Sequence, residues 1–479
     1  MVRRFAAVKL LEQLRSTHNL PHSLRIRKDS PLPQSLNWPT ASVEAVQYLQ
    51  MLLRLDTTNP PGNESVAAET IADILRGENI EPLLLASAPT RGNVIARLRG
   101  SGEKPPLLLY GHTDVVPAEP QYWTHPPFSG NIAEGFVWGR GALDMKGTVA
   151  QQLTVFLLLK RHGVPLRRDV IFAATADEEI GGEDSFGLAW LVKHHPDLLR
   201  AEFGITEVGG YNMSVGGKSV YPIQVAEKGT CWMKVRAKGR PGHASMPHDD
   251  NSVIHLSRAV ARLASEGLPY HLCDAAAGFL ESASAGIGGP FGEALSRLKS
   301  PQSARQVLDV TLKDHELKPF LNAMLHNTAT VTGLAAGYKT NVIPSAAEAT
   351  VDGRTLPGFT TESFVAEVRA VLGEAIEIEV TMESPPLETS HDTALFRLMV
   401  EKLQAHDPGA VAAPYMMTGA TDAKYLARIG VPSYGFAPLK LPPGFRYTEL
   451  FHAHNERAPV DGLGWGTRVL YDVVSDYCA

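Results

Sequence analysis

Residues able to hold cations or move protons recur at the ends of apolar runs. His112 and Asp114 follow Leu107-Leu108-Leu109-Tyr110 in "GHTD", and Asp144 lies in "GRGALDMKG". Asp177, Glu178 and Glu179 open "DEEIGG", Glu207 lies in "TEVGG", and His452 and His454 lie in "FHAHNER". The first four groups border glycine, which lets a backbone turn sharply and approach a ligand. One acid at a strand end is unremarkable; four acid groups with two histidine sites have the composition of a metal centre. Mixed imidazole and carboxylate donors suit zinc, with cobalt or manganese as alternatives. So many carboxylates require more than one cation, because their repulsion would otherwise raise their pKa values. A carboxylate bridging two metals about 3.5–4 Å apart meets that need. Metal-bound water has its pKa lowered toward about 7, which makes hydroxide available at neutral pH. A neighbouring carboxylate can then take a proton and pass it to a leaving amine. Adjacent glutamates in an extended turn point in different directions, so one can face metal while the other faces water.

Taken together, "GHTDVVP", "PPFSG", "WGRGALDMKG" and "DEEIGG" resemble the zinc-dependent aminoacylase and carboxypeptidase family. That family includes glutamate carboxypeptidase, succinyl-diaminopimelate desuccinylase, carnosinase and carboxypeptidase S. The texture is most similar to the carboxypeptidase S-like branch, and the resemblance covers residues 45–475. It implies a site of two Zn2+ ions. His112 and Glu207 would complete one metal position, Glu179 and His452 the other, and Asp144 would bridge them. Glu178 would be the general base, and Asp114 would orient His112, whose second ring nitrogen needs an acceptor to fix its tautomer. His243 would stabilise the oxyanion across a dimer interface. Asn341 and Arg354 would hold a substrate carboxylate, for which a planar guanidinium is suited. Gly419, in "TGATDAKY", would line the cleft. The resemblance also implies a cis peptide between Asp144 and Met145. Many relatives carry an acid or Asn where this chain has Met145.

Some of these polar residues have plainer readings. Asp177 is read as a loop or helix cap, His454 as a neighbour of the ligand His452, and His248 as surface. Trp123, Phe128 and Trp138 are read as loop anchors.

The elements that must position these groups alternate between strand and helix. Residues 92–100, 105–111, 167–182 and 203–210 read as strands, the last two ending in acid, and 43–55, 66–75, 145–163 and 183–195 as helices. Polar residues collect where strands end, as in an open α/β sheet whose sites lie at the strands' C-terminal ends. The texture changes after residue 228. Residues 229–248 alternate as a half-buried strand, 251–267 form an amphipathic helix, 270–326 are helical, and 327–358 hold further strands. The expected architecture is α/β: a catalytic domain with a mixed, mostly parallel sheet between helices, plus an inserted α+β lid or dimerisation domain. The expected division is a 1–40 extension, catalytic parts at 41–227 and 358–479, and the insert at 228–357.

Composition narrows the function. The 479 residues exceed one ordinary core. A net charge of −6 argues against nucleic acid as a partner. No run approaches the roughly 18 apolar residues that span a membrane. The N-terminal twenty residues are basic and amphipathic and read as a surface helix. Three cysteines without a CxxC pair fit a reducing, cytoplasmic setting. The expected activity is hydrolysis of an amide next to a free carboxylate, in a small peptide or N-acyl amino acid, by a homodimer joined through the insert. The alternatives are a dimetal phosphoesterase and a non-catalytic metal-binding homologue.

Overall fold

The computed structural model describes residues 36–182 and 185–479. The basic N-terminal helix and most of the expected extension lie outside the described residues. The chain enters through helix α1 (Trp38–Leu53), then strands β1 (Leu83–Ala86), β2 (Gly92–Leu98) and β3 (Leu107–His112). Helix α2 (Lys146–Arg161) is followed by β4 (Val170–Thr175), β5 (Phe203–Thr206), β6 (Lys218–Glu227) and β7 (Gly229–Lys238). Next come α3 (Ser252–Glu266), β8 (Thr328–Ala336), β9 (Ala346–Thr355), α4 (Thr361–Leu372) and β10 (Ile376–Ser384). The chain closes with β11 (Leu387–Glu388), β12 (Val411–Met417), β13 (Ser433–Gly435) and α5 (Val460–Cys478).

Two sheets carry the architecture. The larger has ten strands and runs β1-β2-β4-β3-β5-β13-β6-β11, with β12 and the short Met213–Val215 strand also paired to β6. Its centre is parallel: β3 pairs with β4 and β5, and β13 pairs with β5. Every residue of β3 and β4 is buried, as expected of short apolar strands covered on both faces. Helix α2 is buried from Lys146 through Leu159 and packs on α1, α5 and β3. The mixed, mostly parallel sheet between helices is therefore present as the sequence suggested.

The smaller sheet is antiparallel, β8-β9-β7-β10, with α3 and α4 on one face. Its core includes Val235, Leu256, Val351, Phe364, Val368 and Ile376. Strand pairing carries this sheet past residue 357. Helix α4 and strand β10 alternate in the manner of an α/β unit, but β10 pairs with β7 along Thr230–Ala237. The second layer therefore runs to Ser384, and the chain returns to the larger sheet at Leu387–Glu388. Local alternation of helix and strand cannot reveal this, because strand pairing is a long-range choice. Two further expectations are shortened. Strand 229–248 ends at Lys238, beyond which only Gly242–His243 pair with Val342–Ile343. Helix 183–195 begins at Leu188 among the described residues.

Candidate metal centre

Topology alone gathers most of the donors. His112 ends β3, Glu178 and Glu179 follow its parallel neighbour β4, and Glu207 follows its other parallel neighbour β5. Parallel strands present their C-terminal ends on one side, which is where such loops converge. Asp144 arrives just ahead of α2, and His452 ahead of α5. The left-handed backbone of Asp177, Val208 and His452 marks each approach. Outside glycine that conformation is costly and clusters at functional sites.

Asp144 stands between the two histidines. Its Oδ1 lies 3.2 Å from His112 Nε2 and its Oδ2 lies 3.2 Å from His452 Nε2. His452 Nε2 is also 3.1 Å from Glu179 Oε2. His112 Nε2 is 3.7 Å from Glu207 Oε2 and 3.9 Å from Glu178 Oε2. Two donor sets therefore meet at one carboxylate: His112 and Glu207 on one side, His452 and Glu179 on the other. Donor atoms of His112, Glu178 and Glu207 lie within 4.8 Å of one another, so Glu178 stands among the donors on the His112 side.

Electrostatics tests whether this set fits cations. Burial raises Glu178 well above the usual carboxylate range, against the pull of His112 and with the push of Glu207. Burial and the Asp144 charge push Glu207 up to about 7. Burial and Asp144 likewise raise Glu179, although His452 opposes them. Burial opposes protonation of His112, yet hydrogen bonds to Asp114, Asp144 and Glu207 hold its pKa well above the usual value. His452 is held at about 10 by Asp144 and Glu179. Burial thus drives Glu178, Glu179 and Glu207 to keep protons, while the histidines hold Asp144 well below the usual carboxylate range and stay charged beside it. Glu179 Oε1 is also buried without a hydrogen-bond partner. Divalent cations would answer both conditions, so the residues fit a metal cofactor of the kind the resemblance implied.

The supports are as specific as the donors. Asp114 was assigned to orient His112, whose Nδ1 lies 3.1 Å from the Asp114 carbonyl oxygen and 3.5 Å from its Oδ1. The Asp114 carboxylate also accepts the backbone N–H groups of Glu178 and Glu179, each at 3.1 Å. It therefore pins the turn that carries both glutamates. Met145 fills a defined place: its Sδ accepts the His112 N–H at 3.2 Å, and its methyl occupies the space a Cβ at Gly111 would need. The Asp144–Met145 peptide is cis.

Sequence reasoning missed Glu456. Buried between Asp144 and the His452 segment, it accepts N–H from Gly141 at 3.0 Å, Leu143 at 2.7 Å and Asp144 at 3.1 Å, and the Arg140 guanidinium at 2.8 Å. A buried acid needs partners, and the arginine of "WGRG" was the signal that one was waiting. Asp422 was also missed; burial pushes it up to about 7, and it feels the charges of Lys424, His112 and Asp114.

Other assigned residues stand apart from the donors. Among the described residues His243 and Asn341 are exposed and make no hydrogen bond or ion pair with the cluster. His243 Nδ1 lies 2.7 Å from Ser245 Oγ. Arg354 is forked onto Asp352 of its own strand at 2.8 and 3.2 Å. Gly419 lies in the turn after β12, near Thr421, whose N–H donates to the buried Glu227 at 3.0 Å. His454 faces Glu119 at 3.7 Å rather than the donors. Asp177 is a buried loop anchor that accepts the Phe186 N–H at 2.9 Å.

Comparison with known proteins identifies the family and the fold. A model of the peptidase family M20/M25/M40 matches residues 108–476. The N-fatty-acyl-amino acid synthase/hydrolase PM20D1 of Mus musculus is 28% identical over 399 residues, covering 78% of this chain and 74% of that protein. Aminoacylase-1 of Homo sapiens is 26% identical over 428 residues, covering 88% and 91%. A solved M20 family metallo-carboxypeptidase from Sulfolobus solfataricus, 20% identical, superposes with a TM-score of 0.63 over 91% of this chain and 99% of its own. That likeness shows the fold.

Proposed function

The chain belongs to peptidase family M20/M25/M40, a hydrolase acting on amide bonds, and from that premise we propose the site and the substrate it serves. The substrate is an N-acyl amino acid or a small peptide, cut at the amide next to its free carboxylate. Two zinc ions are the proposed cofactors, with cobalt or manganese as substitutes. The observation that carries this reading is Asp144, which offers one oxygen toward His112 and the other toward His452. His112 and Glu207 would hold one ion, His452 and Glu179 the other, and Asp144 both. When bound, such ions polarise the scissile carbonyl and acidify water.

The chain's own residues do the rest. Glu178 receives a proton from the attacking water at its carboxylate and delivers it to the leaving nitrogen. Asp114 fixes where Glu178 points by holding its backbone N–H. Arg354 is assigned to the substrate carboxylate, for which it would exchange Asp352. Asn341 and Gly419 are assigned to the cleft, and His243 to the oxyanion of a neighbouring copy in a homodimer. Three free cysteines support a reducing compartment. Among the described residues no helix is long and apolar enough to cross a membrane.

Family membership and an intact Glu178 favour this reading over a phosphoesterase or a non-catalytic metal binder. The test is a panel of N-acyl amino acids and dipeptides assayed alongside metal content. Hydrolysis should vanish in Glu178→Ala while close to two ions per chain remain. Hydrolysis that survives in Glu178→Ala removes this mechanism.

A further inference from the structure

Behind the turn that carries Glu178 and Glu179 lies a buried polar network that no catalytic role has absorbed. It starts in the "TTNPPGNE" loop, residues 57–64. That loop is tied to the end of β3: Thr57 Oγ1 donates to Thr113 O at 2.6 Å, and the Asn59 N–H donates to Val115 O at 2.9 Å. The Asn59 side chain then uses both halves of its amide. Its Nδ2 donates to Asp114 Oδ2 and to Asp177 Oδ1, each at 2.8 Å. Its Oδ1 accepts Arg91 Nη1 at 3.1 Å.

Arg91 is the hub. Nη1 also donates to Pro61 O at 2.7 Å, and Nη2 reaches Glu64 Oε1 at 3.1 Å and the Asp177 carboxylate. Glu64 Oε1 in turn accepts the Asp177 N–H at 3.3 Å. Asn59, Glu64, Arg91, Asp114 and Asp177 are all buried. Gly62 completes the arrangement, since a Cβ there would overlap the Arg91 guanidinium and the residue has φ +84°.

The consequence lies in what this network holds. Asp177 has φ +62°, an unfavourable conformation for a non-glycine residue, and it immediately precedes Glu178. Its carboxylate is gripped by Asn59, Arg91 and the Phe186 N–H, and its own N–H by Glu64. One residue on, Asp114 grips the N–H groups of Glu178 and Glu179, and Asn59 fixes the Asp114 oxygen that accepts from Glu179. The turn is therefore held on both sides of Glu178, and Asn59 links the two grips. Strain of this sort persists where the surroundings over-determine it.

We propose that Asn59 and Arg91 are positioning residues that set the placement of Glu178 and Glu179, acting through Asp114 and Asp177. The assignment rests on the roles given above to those two glutamates. Partners that orient metal ligands from outside typically change metal affinity or activity by about 10–100-fold when removed.

The test uses the full-length protein and four variants: Asn59→Ala, Arg91→Met, Arg91→Lys and a control, Val368→Ala, in the core of the smaller sheet. Two readouts are taken on folded protein. One is kcat and KM on a substrate the parent hydrolyses; the other is Co2+ affinity of the metal-stripped protein by optical titration. Asn59→Ala should lower kcat or Co2+ affinity at least about tenfold with KM little changed. Arg91→Lys keeps the charge but loses the fork, and should fall between the parent and Arg91→Met. Val368→Ala should lose thermal stability and leave both readouts near the parent values. Should Arg91→Met fail to fold, Asn59→Ala and Arg91→Lys decide the matter. If folded Asn59→Ala matches the parent in both readouts, the positioning role is wrong and the network is scaffold only. If the parent hydrolyses nothing in the panel, the proposed function fails, and the Co2+ titration still tests the positioning.

Discussion

Asp144 serves both histidines at once, and that sharing makes its loss different in kind from the loss of any other donor. Asp144→Asn should deprive both positions, leaving fewer than one ion per chain. Glu179→Gln or Glu207→Gln should weaken only one position and leave close to one ion. Elemental analysis after dialysis distinguishes these outcomes, and equal losses in all three variants would contradict the bridging assignment. Stripping the ions with a chelator should also lower the melting temperature. Ligands that bind only the folded state stabilise it by about 2.7 kcal/mol at a hundredfold excess over Kd. Readdition of zinc should reverse the change. The donors themselves were legible because their chemistry is rare: acid after acid at the ends of apolar runs has no cheap structural explanation. The supports were less legible. Asp114 was readable as a partner of His112, but its grip on the Glu178 and Glu179 amides depends on how β3 and β4 align.

At the level of elements, the loop before α2 is hung on Glu456, a residue more than three hundred positions away. Glu456→Ala would leave the Arg140 guanidinium buried and three N–H groups without their acceptor. A broken buried ion pair costs about 3–5 kcal/mol, so a large drop in melting temperature and poor metal retention are expected. A second element-scale prediction concerns Lys228, where the chain crosses from β6 to β7. Its ammonium donates to Ala323 O at 2.9 Å and His326 O at 2.8 Å, and burial, with the Arg354 charge, pushes its pKa down to about 7. An unfolded lysine titrates near about 10.4. Between those values the unfolded chain binds more protons, so this group makes stability rise with pH from about 7 to about 10. Below about 7 both states are charged and the slope vanishes. Melting temperatures across that range should show the rise in the parent and a flatter profile in Lys228→Met. Helix α3 matched expectation within a few residues because burial on one face dictates its apolar pattern, and α2, buried on every side, matched as a long apolar run. Which sheet β10 joins is a matter of long-range pairing that local pattern does not carry.

Over the whole molecule, two sheets share one chain that crosses between them at Lys228 and again between Ser384 and Leu387. The smaller sheet carries His243, Asn341 and Arg354 on or beside its strands, and none of them touches the donors among the described residues. If His243 serves a neighbouring copy, the protein should scatter light as a dimer. Mixing inactive Glu178→Ala with inactive His243→Ala chains should then restore activity. Random exchange in a twofold dimer makes half the dimers mixed, each with one complete site, so recovery should approach about a quarter of the parent. No recovery from a proven dimer would place His243 outside the reaction.

Residue types and their spacing alone pointed to an α/β protein with acids and histidines gathered at its strand ends, and the family resemblance proposed which of them are donors. Only the tertiary structure decided which sheet β10 joins, which carboxylates grip the turn backbones, and how Asn59, Arg91 and Glu456 support the site. The physical reason is range. Periodicity and donor chemistry are properties of neighbouring residues. A buried hydrogen bond between residues 59 and 177, or 144 and 456, exists only once distant segments have packed.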